Sequence, residues 1–142
     1  MRVIIDTPIW SLALRRKRKQ LSARDRALVA GWADLIKERR VLLIGPIRQE
    51  ILSGVPEDRT FERLREHLRA FEDEPLTLHD YEEAARCHNV CRRAGVAGSS
   101  VDFLLCAVAL RREAGIFTSD LDFTWYAEHL PLSLYRAPVL KE

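Results

Sequence analysis

Short apolar runs alternate along this chain with longer stretches in which apolar residues recur at helical spacing. Arg2–Ile5 (RVII), Val41–Gly45 (VLLIG) and Ile116–Thr118 (IFT) read as strands, and Leu76–Leu78 and Leu132–Leu134 as weaker ones. Ser22 followed by Asp25 marks the start of a helix running to about Arg40, with Leu28, Trp32, Leu35 and Ile36 on one face. Pro46 after Gly45 suits the first turn of a helix, so Glu50 falls about one turn in. Phe61, Leu64, Leu68 and Phe71 repeat at helical spacing, and Thr77 to Asp80 opens a further helix that ends near Gly95. The stretch GVAGSS (95–100) is a loop. After it, VDFLLCAV predicts a buried helix opened by a single charge, Asp102.

Strands that alternate with helices imply crossover connections, and hence a parallel sheet with helices on both faces. An α/β fold over residues 1–142, organised as a single domain, is the expectation; a chain of this length can bury an ordinary core without disulfide staples. Cys87, Cys91 and Cys106 are odd in number and lack CxxC spacing, which suits free thiols in a reducing cytoplasm. The N-terminal MRVIIDTPIW meets an acid after three apolar residues, so it predicts neither a signal peptide nor a membrane span.

Lys and Arg total 23 against 21 Asp and Glu, a balance that neither demands nor excludes a nucleic-acid partner. The one dense basic run, Arg15, Arg16, Lys17, Arg18 and Lys19, reads equally well as a solvated connection or as a phosphate-contacting patch.

The acids are distributed less evenly. In an open parallel sheet, ligands bind beyond the carboxyl ends of the strands, where loops and helix N-termini converge. Asp6 follows RVII directly, Glu50 lies in the first turns after VLLIG, Asp102 opens the apolar helix, and Asp120 and Asp122 follow IFTS. Capping explains them singly: Asp6 as an N-cap, Asp102 with Ser99 and Asp122 with Ser119 as capping boxes. It does not explain why they collect at the same end of successive crossover units. Like charges at one rim repel unless a cation compensates them. An all-oxygen set without His or Cys selects a hard ion, Mg²⁺ or Mn²⁺, and the chemistry that fits is metal-assisted phosphodiester hydrolysis.

The segments VIIDTPIW, IRQEILSG, VDFLLCAVA and IFTSDLDF, in this order and spacing, resemble the PIN-domain ribonucleases, most closely the VapC toxins of bacterial and archaeal toxin-antitoxin modules. The resemblance covers about Arg2 to Leu134. It implies a cytoplasmic Mg²⁺- or Mn²⁺-dependent endoribonuclease with Asp6, Glu50, Asp102 and Asp120 as its catalytic metal site and Asp122 as an auxiliary acid. Thr7 and Thr118 match hydroxyl positions that line such sites and orient carboxylates. An RNA substrate, a homodimer and a cognate antitoxin offering a basic side chain to the acidic pocket are likewise what the resemblance implies. The chain departs from the family pattern at Pro8, where Ser or Asn is usual; the carboxylates are unaffected.

Arg92 and Arg93, just before the loop that leads to Asp102, are better placed than most basic residues to meet a phosphate backbone. Cys87, His88 and Cys91 lack a second ligand pair and read as helix packing, and His67, His79 and His129 show no nucleophilic arrangement. Trp10, Trp32 and Trp125 read as core or interface rather than base-stacking platforms. The alternative function is a non-catalytic module of the same fold that binds RNA or a protein partner, without membrane association.

Overall fold

A computed structural model describes residues 1–15 and 17–138 and contains a three-stranded parallel sheet, β1 (Val3–Ile5), β2 (Val41–Leu42) and β3 (Gly115–Phe117). Its order is β2-β1-β3, so β1 is central, with Val3 opposite Val41 and Gly115, and Ile5 opposite Phe117. Side chains of a strand point alternately to the two faces, yet Val3, Ile4 and Ile5 are all buried, as are Gly115, Ile116 and Phe117. Both faces are therefore covered, which is why these strands read as unbroken apolar runs.

Among the described residues seven α-helices supply the cover: α1 (Thr7–Arg15), α2 (Ala23–Lys37), α3 (Gly45–Leu52), α4 (Asp58–Leu68), α5 (Leu78–Arg93), α6 (Ser100–Arg111) and α7 (Asp122–Tyr126). α6 packs on β1, β3 and α5, and α1 packs on α2 and α3. α6 buries every residue from Phe103 to Ala109, as its unbroken apolar text requires. Trp10 is fully buried, meets Trp32 and Phe71 edge-on at 5.8 and 5.2 Å, and donates its indole N–H to the Ile5 carbonyl at 3.1 Å. Trp125, by contrast, is 56% exposed and belongs to no core. The three cysteines are free and buried, and burial pushes the Cys87 thiol up to about 11, which keeps it protonated and unreactive. Among the described residues no helix is long and apolar enough to cross a membrane.

Two weaker strand expectations need correction. Leu132–Leu134 contributes only a single parallel bridge, Leu134 with Ile116. Leu76–Leu78 forms no strand: Thr77 and Asp80 close a capping box, so Leu78 begins α5 and stands exposed. The residue that extends the sheet beside β2 is instead Asp73, bridged to Leu43.

Asp80 does more than cap. Its carboxylate is fully buried and accepts from Arg111 Nη1 at 2.6 Å, Arg112 Nη1 and Nη2 at 2.7 and 2.9 Å, and the Thr77 N–H at 2.8 Å. The Arg112 guanidinium above all, with the Thr77 amide and Arg111, holds this carboxyl well below the usual range. The start of α5 is thereby pinned to the end of α6, about 14 Å of helix from Asp102 near the other end.

At the start of α2, the Ser22 hydroxyl accepts the Asp25 N–H at 3.1 Å. Ser22→Ala should lower stability by about 1 kcal/mol, read as a reduced urea midpoint. An unchanged midpoint would show that the cap contributes nothing.

Candidate active site

All three strands run the same way, so their carboxyl ends share one edge, and the chain leaves each end into a helix or a tight turn. The Asp6 N–H still donates to the Phe117 carbonyl at 2.9 Å, which extends the β1–β3 ladder by one residue. The Asp6 carbonyl then accepts from Ile9 and Trp10, opening α1, and Pro8 lies within the first turn, where a missing N–H costs nothing. Asp6 thus occupies a capping position. Its carboxylate, however, is 5% exposed and turned inward: Oδ1 accepts the Thr7 N–H at 2.9 Å and Oδ2 accepts the Thr118 hydroxyl at 2.8 Å. Burial pushes its pKa up to about 6; the bonds from Thr118 and Thr7 oppose that rise, and the charges of Asp102 and Glu50 add to it.

Thr118 links two acids. While its hydroxyl donates to Asp6, its Oγ1 accepts the Asp120 N–H at 3.0 Å, so the turn after β3 is fixed to the end of β1. Asp120 Oδ1 in turn accepts the Asp122 N–H at 2.9 Å. The Ser119–Asp122 capping box does not form, because Leu121 is the N-cap of α7. On α6, Ser99 is the N-cap and accepts the Asp102 N–H at 3.1 Å. The Asp102 carboxylate accepts the Tyr126 hydroxyl at 2.7 Å rather than closing the box. Burial is the main cause that raises the Asp102 carboxyl, countered by Tyr126 and Ser99 and reinforced by Asp120 and Asp122.

Asp102, Asp120 and Asp122 converge: one oxygen from each lies within 4.8 Å of the others, the one such group among the described residues. Two are half-buried and one is exposed. Asp122, expected only as an auxiliary acid, belongs to this inner group, whereas Asp6 and Glu50 do not. Glu50 is exposed on α3, and its Oε1 accepts the Thr7 hydroxyl at 2.9 Å. The donor set is oxygen throughout, with neither His nor Cys, so it fits a hard divalent cation.

The basic candidates separate by position. Arg92 and Arg93 are exposed at the end of α5, beside the loop leading to Asp102, with Arg92 Nη2 3.2 Å from His88 Nε2. Arg15, the last residue of α1, and Lys17 just past it are exposed, about 13 Å of helix from Asp6. Arg16 lies outside the described residues.

A family model described as PIN domain matches residues 3–128. The chain belongs to the PIN domain family. Among its curated relatives are VapC ribonuclease Mb1587 of Mycobacterium bovis and Ribonuclease VapC11 of Mycobacterium tuberculosis, each 32% identical over 125 residues, covering 85% of this chain and 88% of the relative. Two solved structures share the fold: FitAcB from Neisseria gonorrhoeae, with a TM-score of 0.71, 17% identity and coverage of 94% and 96% of the two chains, and VapBC2 from Rickettsia felis bound to a DNA fragment from their promoter, with 0.73, 14%, 95% and 98%.

Within this PIN domain, sequence reasoning missed Tyr126 and Gly98. The partner of Tyr126 lies 24 residues upstream, on another helix, at no spacing that periodicity can expose. Gly98 was legible only as part of a loop; the reason for it is that a Cβ there would strike the Tyr126 hydroxyl and come within 2.8 Å of the Phe103 ring.

Proposed function

We propose that this PIN domain is a Mg²⁺- or Mn²⁺-dependent endoribonuclease, the toxin of a toxin-antitoxin pair. The observation that carries the proposal is the convergence of Asp102, Asp120 and Asp122 beside the buried Asp6, at the end of a parallel sheet. The VapC ribonucleases that share 32% identity over most of the chain support it. Without a counter-ion this arrangement costs stability, since the buried Asp6 and the half-buried Asp102 lie next to further negative charge.

Asp102, Asp120 and Asp122 hold the cation, and Asp6 and Glu50 complete the acidic rim. A bound divalent ion supplies Lewis-acid polarisation and neutralises charge that develops on the phosphate. Thr118 keeps Asp6 and Asp120 in fixed relation, and Thr7 orients Glu50, so the carboxylates do not reorganise when RNA arrives. Hydrolysis adds water across one phosphodiester bond and leaves a phosphate monoester and a hydroxyl. Arg92 and Arg93 meet the RNA backbone on the α5 side. Arg15 and Lys17 serve as a second, more distant basic patch. The protein works as a cytoplasmic homodimer and is silenced by an antitoxin that brings a basic side chain to the acidic rim.

Incubation of the purified protein with a mixed pool of structured and unstructured RNAs tests this. Wild type should produce fragments with Mn²⁺ and none in EDTA, and Asp120→Asn should produce none in either. Fragments in EDTA, or equal cutting by the variant, would contradict the assignment. No cutting of any RNA would favour a module that binds without cleaving.

A further inference from the structure

We propose that Tyr126 is a positioning residue for the acidic cluster, holding Asp102 in the orientation that lets it join Asp120 and Asp122 around a cation. The inference rests on the metal-nuclease reading and adds a residue that reading does not need.

Tyr126 is fully buried in α7, and its ring packs 5.0 Å from Phe103 and 5.1 Å from Phe123, centroid to centroid. Rings held on two sides fix the direction of the hydroxyl, which reaches Asp102 Oδ2 at 2.7 Å. A carboxylate with one oxygen engaged by a rigid donor loses its freedom to rotate. Its approach to Asp120 and Asp122 is therefore set before a cation binds.

Gly98 shows that the surroundings leave room for this hydroxyl. A side chain at that position would collide with the Tyr126 Oη and crowd the Phe103 ring at 2.8 Å. The backbone at Gly98 does not occupy the left-handed region, so the requirement there is for space and not for conformation. A phenylalanine at 126 would fill the same volume, and the hydroxyl makes its hydrogen bond to Asp102. α7 also carries Asp122 at its start, so one short helix supplies an acid to the cluster and the donor that aligns another.

Partners of metal ligands contribute roughly 10- to 100-fold in metal affinity or activity. Tyr126→Phe should melt in EDTA close to wild type, because the packing is kept. Its Mn²⁺ half-saturation, measured by titration calorimetry and again as the Mn²⁺ needed for half-maximal RNA cleavage, should rise at least about 10-fold. At saturating Mn²⁺ its cleavage rate should return to within about threefold of wild type, the split expected of a residue that positions a ligand and touches no reacting atom. Gly98→Ala keeps the tyrosine but takes its space, and should raise the Mn²⁺ half-point in the same direction. Should the half-point of Tyr126→Phe stay within twofold of wild type, the role is overturned while the nuclease reading stands. If wild type itself binds no Mn²⁺, the nuclease reading falls and this inference with it.

Discussion

Asp102→Asn lowers RNA cleavage by more than about 100-fold and leaves the fold intact. The floor comes from residues that merely support metal ligands, whose loss already costs roughly 10- to 100-fold; loss of a ligand's charge costs more. The fold survives for local reasons. An asparagine has the shape of the aspartate, its carbonyl oxygen still accepts the Tyr126 hydroxyl, and the Ser99 cap uses the backbone N–H of residue 102, which is unchanged. Burial already raises the Asp102 carboxyl, so a neutral group there removes a desolvation cost. Initial rates at saturating Mn²⁺, beside circular dichroism of the same samples, check the prediction. A variant that cuts RNA at the wild-type rate would remove Asp102 from the site.

The metal-free protein loses stability as pH rises from about 4 to about 6, and Asp6 is the main cause. Its carboxyl is held near 6 in the folded protein against an ordinary value of 3.8, so across this window the folded form binds the proton more tightly than the unfolded form. Unfolding then becomes easier as pH rises, by up to roughly 3 kcal/mol in total, and the slope vanishes above the folded value. Asp80 acts in the opposite sense, but its depressed carboxyl loses its contribution only as pH falls below the ordinary carboxylate range, outside this window. Asp6→Asn should therefore flatten the decline. Urea unfolding in EDTA at pH 5 and pH 7.5 measures it, wild type beside variant; equal pH dependence in the two proteins would show that Asp6 is not the source. With Mn²⁺ present the wild-type trend should reverse, because carboxylates bind the ion in their charged form and stabilise the fold as they lose their protons.

β1 and β3 were legible because each is buried on both faces, which leaves a continuous apolar run, so RVII and IFT need no partner to be recognised; VLLIG was read too long, since β2 covers Val41–Leu42 and Gly45 already opens α3. α2 was legible from its Ser22 cap, and α6 from its apolar text. The stretch 76–78 misled because two signals overlapped there: three residues of strand-like alternation coincide with the Thr77–Asp80 cap, and the cap prevails. Asp73 could not be read as a sheet neighbour of Leu43, since a single bridge between backbones leaves no side-chain pattern.

Among the acids, position after a strand was enough to collect Asp6, Glu50, Asp120 and Asp122 at one edge, and Asp102 joins them from the first turn of α6, which follows a helix and a loop. Position was not enough to rank them. Asp122 enters the inner group because its N–H is held by Asp120, and Glu50 stays outside because the Thr7 hydroxyl binds it on the surface of α3. Tyr126, aromatic and next to the exposed Trp125, gave no sign of polar duty. Its role follows from the packing of α7 against α6, which brings it to Asp102 across 24 residues of chain.

Titration calorimetry of Mn²⁺ into metal-free protein at pH 7.5, wild type beside Asp120→Asn, tests the acidic cluster most directly. Saturable binding by wild type, weakened at least about 100-fold in the variant, is the predicted result. Binding of equal strength in both proteins, or none in either, would contradict a cation site built from Asp102, Asp120 and Asp122.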